Sequence, residues 1–447
     1  MASKRRRTES IESVVPFEKR AGTFDVEAIR NFYDVNGYVV LRILTPAQCD
    51  EGIYELYEKV LMTQPWNDPD HFHGVSPFVL NDDSGAIAFE RDASAAHKRR
   101  VVEALKRRDI PGDELAKLEY HWTLHLTFGA PCDDIGFNLP RVWGVRQDPE
   151  IYEVVSALTR TRELHVDINR PIMKLPTRGE KEFLHWDLDL NVPFERVSRH
   201  VQGKVAYTAS RFVGVPGTHT PEYQEDFLRK YGGPKEGVKK TALNERTHGE
   251  EFAKQRVFEL PAGCCLFWNS QMLHGQMPTP RKANIELGFY LGYFPAEIER
   301  SVHEDRLRSY RHGVAPEFWP SGDKIHFYPK LWRCNYEHIE RTIEKMPKGH
   351  PSATDRTNER GQVFPHLLPW RPRDYERTYV PPPLTPLGEK LLGLRSWREY
   401  RAVPLSRPIQ PGEVVGTSRL VSAGALYTAE PEPDGKSRSS AILIDDD

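Results

Sequence analysis

The stretch from Leu164 to Phe294 constrains the fold most, because its apolar residues alternate with polar ones or form short runs between turns. A repeat of two residues is typical of a β-strand, and many short strands between turns indicate an antiparallel sandwich or barrel. At 447 residues, the chain is long enough to bury a large core around such sheets. The predicted fold class is mainly β with flanking helices (α+β).

The N-terminal part predicts a leader followed by a short mixed segment. Residues 1–22 have few apolar side chains and are predicted to be disordered. From about Asp25 the sequence favours a helix, a strand from Tyr38 to Leu41 and a second helix. Thr45, as N-cap, with Gln48 three residues later, is the pattern that opens the second helix.

The remaining boundaries follow from shifts in composition. The domain that carries the strands is predicted for 23–300, and it contains a polar insert at 218–256 that is rich in Gly, Lys and Glu. Such an insert either covers a site or is mobile. Residues 301–430 are predicted to be a C-terminal extension packed on the core, with a helix at 385–395. A flexible tail is predicted for 431–447.

Charge and cysteine content argue against several classes of partner. The 62 Lys and Arg nearly balance the 64 Asp and Glu, which speaks against nucleic acid as a partner. Five cysteines without a CxxC pattern favour a reducing compartment. No signal segment or membrane span is expected. The predicted location is cytoplasmic; the basic run from Lys4 to Arg7 could be a nuclear-import signal, although a solvated tail is the simpler interpretation. The oligomeric state is left open.

A metal site is indicated by the segment FLHWDLDLN, residues 183–191. On a strand, His185, Asp187 and Asp189 share one face, because successive side chains alternate. A histidine and a carboxylate on one face can converge on one ion. Asp187 is the preferred carboxylate ligand, and Asp189 on the same face is its alternative.

The second histidine is predicted to be His274, which follows the apolar strand CLFW after a Pro-Ala-Gly turn. Two histidines and one carboxylate occupy one face of an iron and leave three positions for a 2-oxo acid and O2. Two other spacings, His71 with His73 and His121 with His125, lack a carboxylate in phase. They are interpreted as structural histidines.

An anchor for the co-substrate is predicted from RKANIELGFYLGYF. Arg281 is in phase with the apolar residues Ile285 and Leu287, whereas Lys282 and Glu286 lie on the opposite face. A buried arginine needs an anion, and its planar fork fits a carboxylate. The distal carboxylate of 2-oxoglutarate would satisfy it.

These motifs together resemble the phytanoyl-CoA dioxygenase family. HWD (185–187) is similar to its His-x-Asp motif, FVGVPGTH (212–219) to its strand-to-loop segment, and LHGQ with RKA (281–283) to its distal histidine and arginine. The resemblance covers about 24–294. It implies a double-stranded β-helix (jelly roll) that binds Fe(II), 2-oxoglutarate and O2 and hydroxylates a small-molecule substrate.

Further assignments remain open. Lys174 and Tyr207 are predicted on strands flanking HWD and could bind the carboxylates of 2-oxoglutarate; ordinary strand residues are the alternative. One rival function is a catalytically silent jelly-roll module that binds a partner through its C-terminal extension. Another is an oxygenase acting on a nucleic acid or a nuclear protein, and the balanced charge disfavours it.

Overall fold

The protein is represented by a computed structural model. It describes residues 11–61, 80–82, 85–87, 94–106, 126–127, 130–131, 136–174, 183–187, 190, 200–233, 241–276, 285–296, 300–313, 316, 318–319, 328–329, 379–397, 401–404, 420–422 and 425–430. Among these residues, no helix is long and apolar enough to cross a membrane.

The helices are α1 (Val26–Asn36), α2 (Pro46–Leu56), α3 (Ala95–Lys106), α4 (Pro140–Arg146), α5 (Pro149–Thr159), α6 (Pro221–Tyr231), α7 (Gly249–Lys254), α8 (Arg300–His312) and α9 (Pro386–Leu392). A π-helical turn, Tyr57–Leu61, continues α2.

The strands are β1 (Ile11–Ser13), β2 (Tyr38–Arg42), β3 (Leu80–Asp82), β4 (Gly85–Ile87), β5 (Leu126–Thr127), β6 (Ala130–Pro131), β7 (Leu164–Val166), β8 (Pro171–Lys174), β9 (Phe183–Trp186), β10 (Val201–Ala206), β11 (Ser210–Gly214), β12 (Thr241–Ala242), β13 (Arg256–Leu260), β14 (Cys264–Asn269), β15 (His274–Gln276), β16 (Glu286–Pro295), β17 (Phe318–Trp319), β18 (Tyr328–Pro329), β19 (Arg401–Pro404), β20 (Leu420–Ser422) and β21 (Ala425–Glu430).

Two six-stranded sheets dominate the described residues. Sheet I has the order β1-β13-β11-β15-β9-β12, and sheet II has the order β2-β14-β10-β16-β7, with β8 also paired to β16. All pairings in these sheets are antiparallel except that of β1 with β13. The predicted combination of antiparallel sheets and flanking helices is therefore confirmed, while the jelly-roll topology stays a prediction.

Sheet II is buried on both faces. Val205, Phe267 and Phe289 point away from sheet I into the largest apolar core, which they share with residues of α1, α2 and α5. On the opposite face, Trp268 lies 4.8 Å from Phe212 of sheet I, measured between ring centroids. The space between the two sheets is thus lined by the second set of side chains, those of even number on β10, β14 and β16.

Local sequence signals explain where several helices begin and end. The Thr45 side chain accepts a hydrogen bond from the backbone N–H of Gln48, and the Gln48 side chain accepts one from the backbone N–H of Thr45. These two bonds cap the start of α2. Gly37 ends α1 in the left-handed conformation, with φ of 78°. A Cβ at Gly37 would lie only 2.5 Å from His219 Nδ1, so a side chain is also excluded by space.

Two segments differ from the sequence-based expectations. Residues Ile11–Ser13 of the predicted leader form β1, which pairs with β13, and the backbone of Phe17 donates to Val40 O. An edge strand needs only backbone partners, so a low apolar content did not prevent this docking. Within the insert 218–256, α6 and α7 pack on the outer face of sheet I, and Thr241–Ala242 adds a short edge strand.

Candidate metal centre

His185 reaches the space between the sheets from β9. Its neighbours Leu184 and Trp186 point to the other face, into the apolar cluster formed with the insert. Trp186 Nε1 donates to Gln271 O at 2.8 Å, and its ring packs against Phe227 of α6. The alternation of side chains that the sequence predicts is therefore present in β9. The insert packs against the face of β9 that is opposite the metal cluster.

His274 opens β15 and is the direct cross-strand partner of His185. Its Nδ1 lies 2.9 Å from Met272 O, so this nitrogen donates and the imidazole presents Nε2 as an acceptor. Phe212 and Trp268 flank the His274 ring, with centroids at 6.1 Å and 5.4 Å. The ring is therefore fixed by one hydrogen bond and two aromatic contacts.

Asp187 completes the cluster directly after β9. His185 Nε2 lies 3.4 Å from Asp187 Oδ1, and His274 Nε2 lies 3.5 Å from Asp187 Oδ2. The exposed fractions of the three side chains are below a tenth. One ligand atom from each residue lies within 4.8 Å of the others, and this is the one such group in the described ranges.

The donor set fits a divalent transition metal. Two imidazole nitrogens and a carboxylate oxygen suit iron in the facial arrangement, and a hydrogen-bonded Nδ1 is the usual support of a metal-bound histidine. A second support comes from sheet II, where Gln202 Nε2 donates to Asp187 Oδ2 at 3.2 Å. Sequence reasoning missed Gln202, since only the facing of the two sheets brings β10 next to Asp187.

A buried ion pair lies in the same space between the sheets. Lys204, two residues beyond Gln202 on β10, donates to Glu286 Oε2 at 3.0 Å and to Arg211 O at 2.7 Å. Ser210 Oγ donates to the same Glu286 oxygen at 2.9 Å. Both charged side chains are less than a tenth exposed. The alternation of residues in VQGKVA is the sequence pattern from which the direction of the Lys204 side chain could have been predicted.

The predicted direction of β16 requires a correction. The sequence placed the apolar set inward and Glu286 on the other face, yet Ile285, Leu287, Phe289 and Leu291 face the helices, and Glu286 faces the space between the sheets. Apolar periodicity marks a buried face, and sheet II has two of them. The phase with Ile285 and Leu287 therefore does not direct Arg281 toward the metal cluster.

The other predicted residues are placed as follows. Tyr207 packs against Gly52 and Phe289 on the helix side of sheet II, so it is not positioned to bind a co-substrate at the cluster. Burial raises the pKa of Tyr207 well above its usual range. Lys174 pairs in register with Glu286, and its side chain lies outside the description. Outside the described residues lie Asp189, Arg281, Lys282, His71, His73, His121 and His125.

Comparison with known proteins gives weak likenesses. No family model and no curated protein matches this chain. Among solved structures, the epimerase SnoN in complex with Fe3+, alpha ketoglutarate and nogalamycin RO is 14% identical, covering 61% of this chain and 84% of that chain at a TM-score of 0.33. EctD from S. alaskensis with 2-oxoglutarate and 5-hydroxyectoine is 13% identical, covering 66% and 86% at 0.32. The ThoJ-Ni complex, a non-heme monooxygenase, is 14% identical, covering 61% and 80% at 0.31. All three TM-scores lie below 0.5.

Proposed function

We propose that this protein is an Fe(II)- and 2-oxoglutarate-dependent dioxygenase of the phytanoyl-CoA dioxygenase type, which hydroxylates a small-molecule substrate. The observation that carries the proposal is the buried group of His185, Asp187 and His274, whose ligand atoms lie within 4.8 Å of one another. A ligand set of this kind leaves open positions for a 2-oxo acid and O2, which a closed structural metal site does not.

Bound iron with 2-oxoglutarate would supply the oxidative decarboxylation that yields succinate and CO2 and hydroxylates the substrate. The residues of the chain supply the conditions for that chemistry. His185, Asp187 and His274 would hold the metal, and Gln202 fixes the direction of the Asp187 carboxylate. The walls of both sheets exclude water, since Phe212, Trp268 and the three ligands are all nearly inaccessible.

The assignment to the phytanoyl-CoA type is supported by the order of the motifs along the chain. HWD, the FVGVPGTH segment and LHGQ follow one another, and the first and last of them supply the three clustered side chains. Arg281 is the proposed anchor for the far carboxylate of 2-oxoglutarate. Lys204 is the alternative cation, because it lies between the sheets on the same face of β10 as Gln202.

The test compares His185→Ala, Asp187→Ala and His274→Ala with the wild-type protein. Each variant should lose tight Fe(II) binding and 2-oxoglutarate-dependent succinate release, because two ligands cannot form the three-ligand face. Circular dichroism should show that each variant remains folded. His219→Ala is a matched control, since His219 is also buried but bonds to Asp34 O, away from the cluster. Iron-dependent succinate release in the Asp187 variant would contradict the ligand assignment, and a wild-type protein that binds iron without forming succinate would favour the silent binding module.

A further inference from the structure

Two buried polar atoms beside the metal cluster have no hydrogen-bond partner among the described residues. They are Trp268 Nε1 and Gln202 Oε1. The exposed fractions of the two residues are 4% and 5%, so bulk water does not satisfy either atom. Buried donors and acceptors are almost always paired, so two unsatisfied atoms on paired strand positions mark a candidate binding place for a polar group.

The two side chains lie next to each other and next to the cluster. Gln202 of β10 and Trp268 of β14 are direct cross-strand partners, so they share the face that lines the space between the sheets. Gln202 Nε2 is 3.2 Å from Asp187 Oδ2, and the Trp268 ring centroid is 5.4 Å from that of His274. A group bound between the two side chains would be adjacent to the metal ligands.

The orientation of the Gln202 amide follows from its contact with Asp187. An ionised carboxylate only accepts hydrogen bonds, so the amide must present Nε2 to it and Oε1 to the other side. On the opposite neighbouring strand, Gly292 is the partner of Gln202 and has no side chain that could donate to Oε1. The chain thus leaves one acceptor, Gln202 Oε1, and one donor, the indole N–H of Trp268, on directly paired positions of one sheet face.

We propose that Gln202 and Trp268 bind a hydroxyl group of the organic substrate, which makes an alcohol the substrate class of this site. The hydroxyl oxygen accepts from Trp268 Nε1, and the hydroxyl hydrogen is donated to Gln202 Oε1. An ether, ketone or carboxylate oxygen can satisfy only the indole, and an ammonium group can satisfy only the amide oxygen. The proposal rests on the proposed function, because the reaction at the metal is what makes a ligand at this place a substrate.

The experiment measures binding rather than turnover. Full-length protein with 15N-labelled tryptophan is loaded with Zn(II) and 2-oxoglutarate and titrated with butan-1-ol or with its isomer 1-methoxypropane. The indole N–H resonance of Trp268 is assigned from the spectrum of Trp268→Phe. Trp186 is the internal control, since its Nε1 already donates to Gln271 O.

Butan-1-ol should shift the Trp268 resonance but not that of Trp186, and it should bind about fivefold or more tightly than 1-methoxypropane. The ether leaves Gln202 Oε1 buried without a donor, which accounts for the difference. Gln202→Met keeps the length of the side chain and removes the acceptor, so it should make the two affinities nearly equal. Equal affinities in the wild-type protein, or no shift of Trp268 with either compound, would overturn the proposal and assign the two atoms to an ordered water.

A failure of the hydroxyl site can be distinguished from a failure of the proposed function. Zn(II) binding is measured first, in the absence of the alcohol, and failure there contradicts the metal site. Normal Zn(II) binding without discrimination between the isomers contradicts only the hydroxyl site.

Discussion

At the scale of single residues, the Asp187 carboxylate is held from three directions. His185 and His274 approach one oxygen each, and Gln202 donates to Oδ2 from the facing sheet. A carboxylate that is fixed before the metal binds loses less rotational freedom on binding. Gln202 is therefore a positioning residue for the metal site as well as part of the proposed hydroxyl site.

Gln202→Met should weaken metal binding by about 10- to 100-fold, because the Asp187 carboxylate loses the donor that orients it. Competitive titration of Zn(II) with a chelator measures the change. Gln224→Met is the matched control, since Gln224 is buried too but donates to Gln271 O on the insert side of sheet I. An unchanged dissociation constant in Gln202→Met would contradict the positioning role.

Arg281→Ala should weaken 2-oxoglutarate binding to the Zn(II)-loaded protein by roughly 30- to 1,000-fold, through the loss of a bidentate charge-assisted pair. Metal affinity should be unchanged, because Arg281 is not a ligand. Isothermal titration measures both quantities. Lys282→Ala is the comparison variant, because Lys282 has the same phase as Glu286, which faces the space between the sheets. Loss of 2-oxoglutarate binding in Lys282→Ala alone would assign the anchor to Lys282, and normal binding in both variants would assign it to Lys204.

At the scale of elements, the first turn of α4 shows how one helix depends on another. Leu139, its N-cap, has a side chain that forms no capping hydrogen bond. The Glu55 carboxylate of α2 accepts a hydrogen bond from the backbone N–H of Arg141 instead. Burial raises the pKa of Glu55 to about 7, although the hydrogen bond from Arg141 acts in the opposite direction. Helix α4 is thus linked to α2 by a carboxyl group that titrates near neutrality.

This carboxyl group should make the stability of the fold depend on pH. Because the pKa of Glu55 is higher in the folded chain than in the unfolded chain, its contribution is present below about pH 4.5 and is lost as pH rises towards 7. Glu55→Gln keeps an acceptor for Arg141 and cannot ionise. Relative to wild type, the variant should gain on the order of 1 to 3 kcal/mol between about pH 5 and about pH 8. Urea unfolding at both pH values gives the difference, and parallel curves for the two proteins would refute the linkage.

At the scale of the whole molecule, a late segment of the chain completes the helical layer. Leu387, Leu391 and Leu392 of α9 are buried in the main core. The Arg306 guanidinium donates to Leu391 O at 3.0 Å, and Trp397 Nε1 donates to Leu164 O at 2.8 Å. Burial lowers the pKa of Arg306 to about 10, so its carbonyl partners compensate for a costly desolvation. Residues 379–397 are therefore an integral part of the core.

A chain that ends at residue 378 should lose at least about 4 kcal/mol of unfolding free energy, because it forfeits three buried leucines and removes two carbonyl acceptors of the buried Arg306. Chemical unfolding followed by circular dichroism measures the loss. A chain that ends at residue 430 is the control, because it removes only the predicted tail 431–447. Equal midpoints for the two truncated chains would show that α9 does not contribute to the core.

The sequence by itself determined those features that depend on neighbouring residues. The alternation around His185 and Asp187, the cap of α2 at Thr45 and the helix after Thr385 all follow from backbone geometry over a few positions. The combination of His185 and Asp187 with His274 could also be predicted from the sequence, because few combinations of residue types suit a metal.

Only the tertiary structure decided which buried face of each strand lines the site. Strand β16 is apolar toward the helices and carries Glu286 toward sheet I, and an apolar period cannot distinguish two faces that are both buried. For the same reason Tyr207 was expected near the co-substrate, and Gln202, Lys204 and Trp268 were not identified. Their roles come from the approach of two sheets whose strands lie far apart along the chain, and no local pattern encodes that approach.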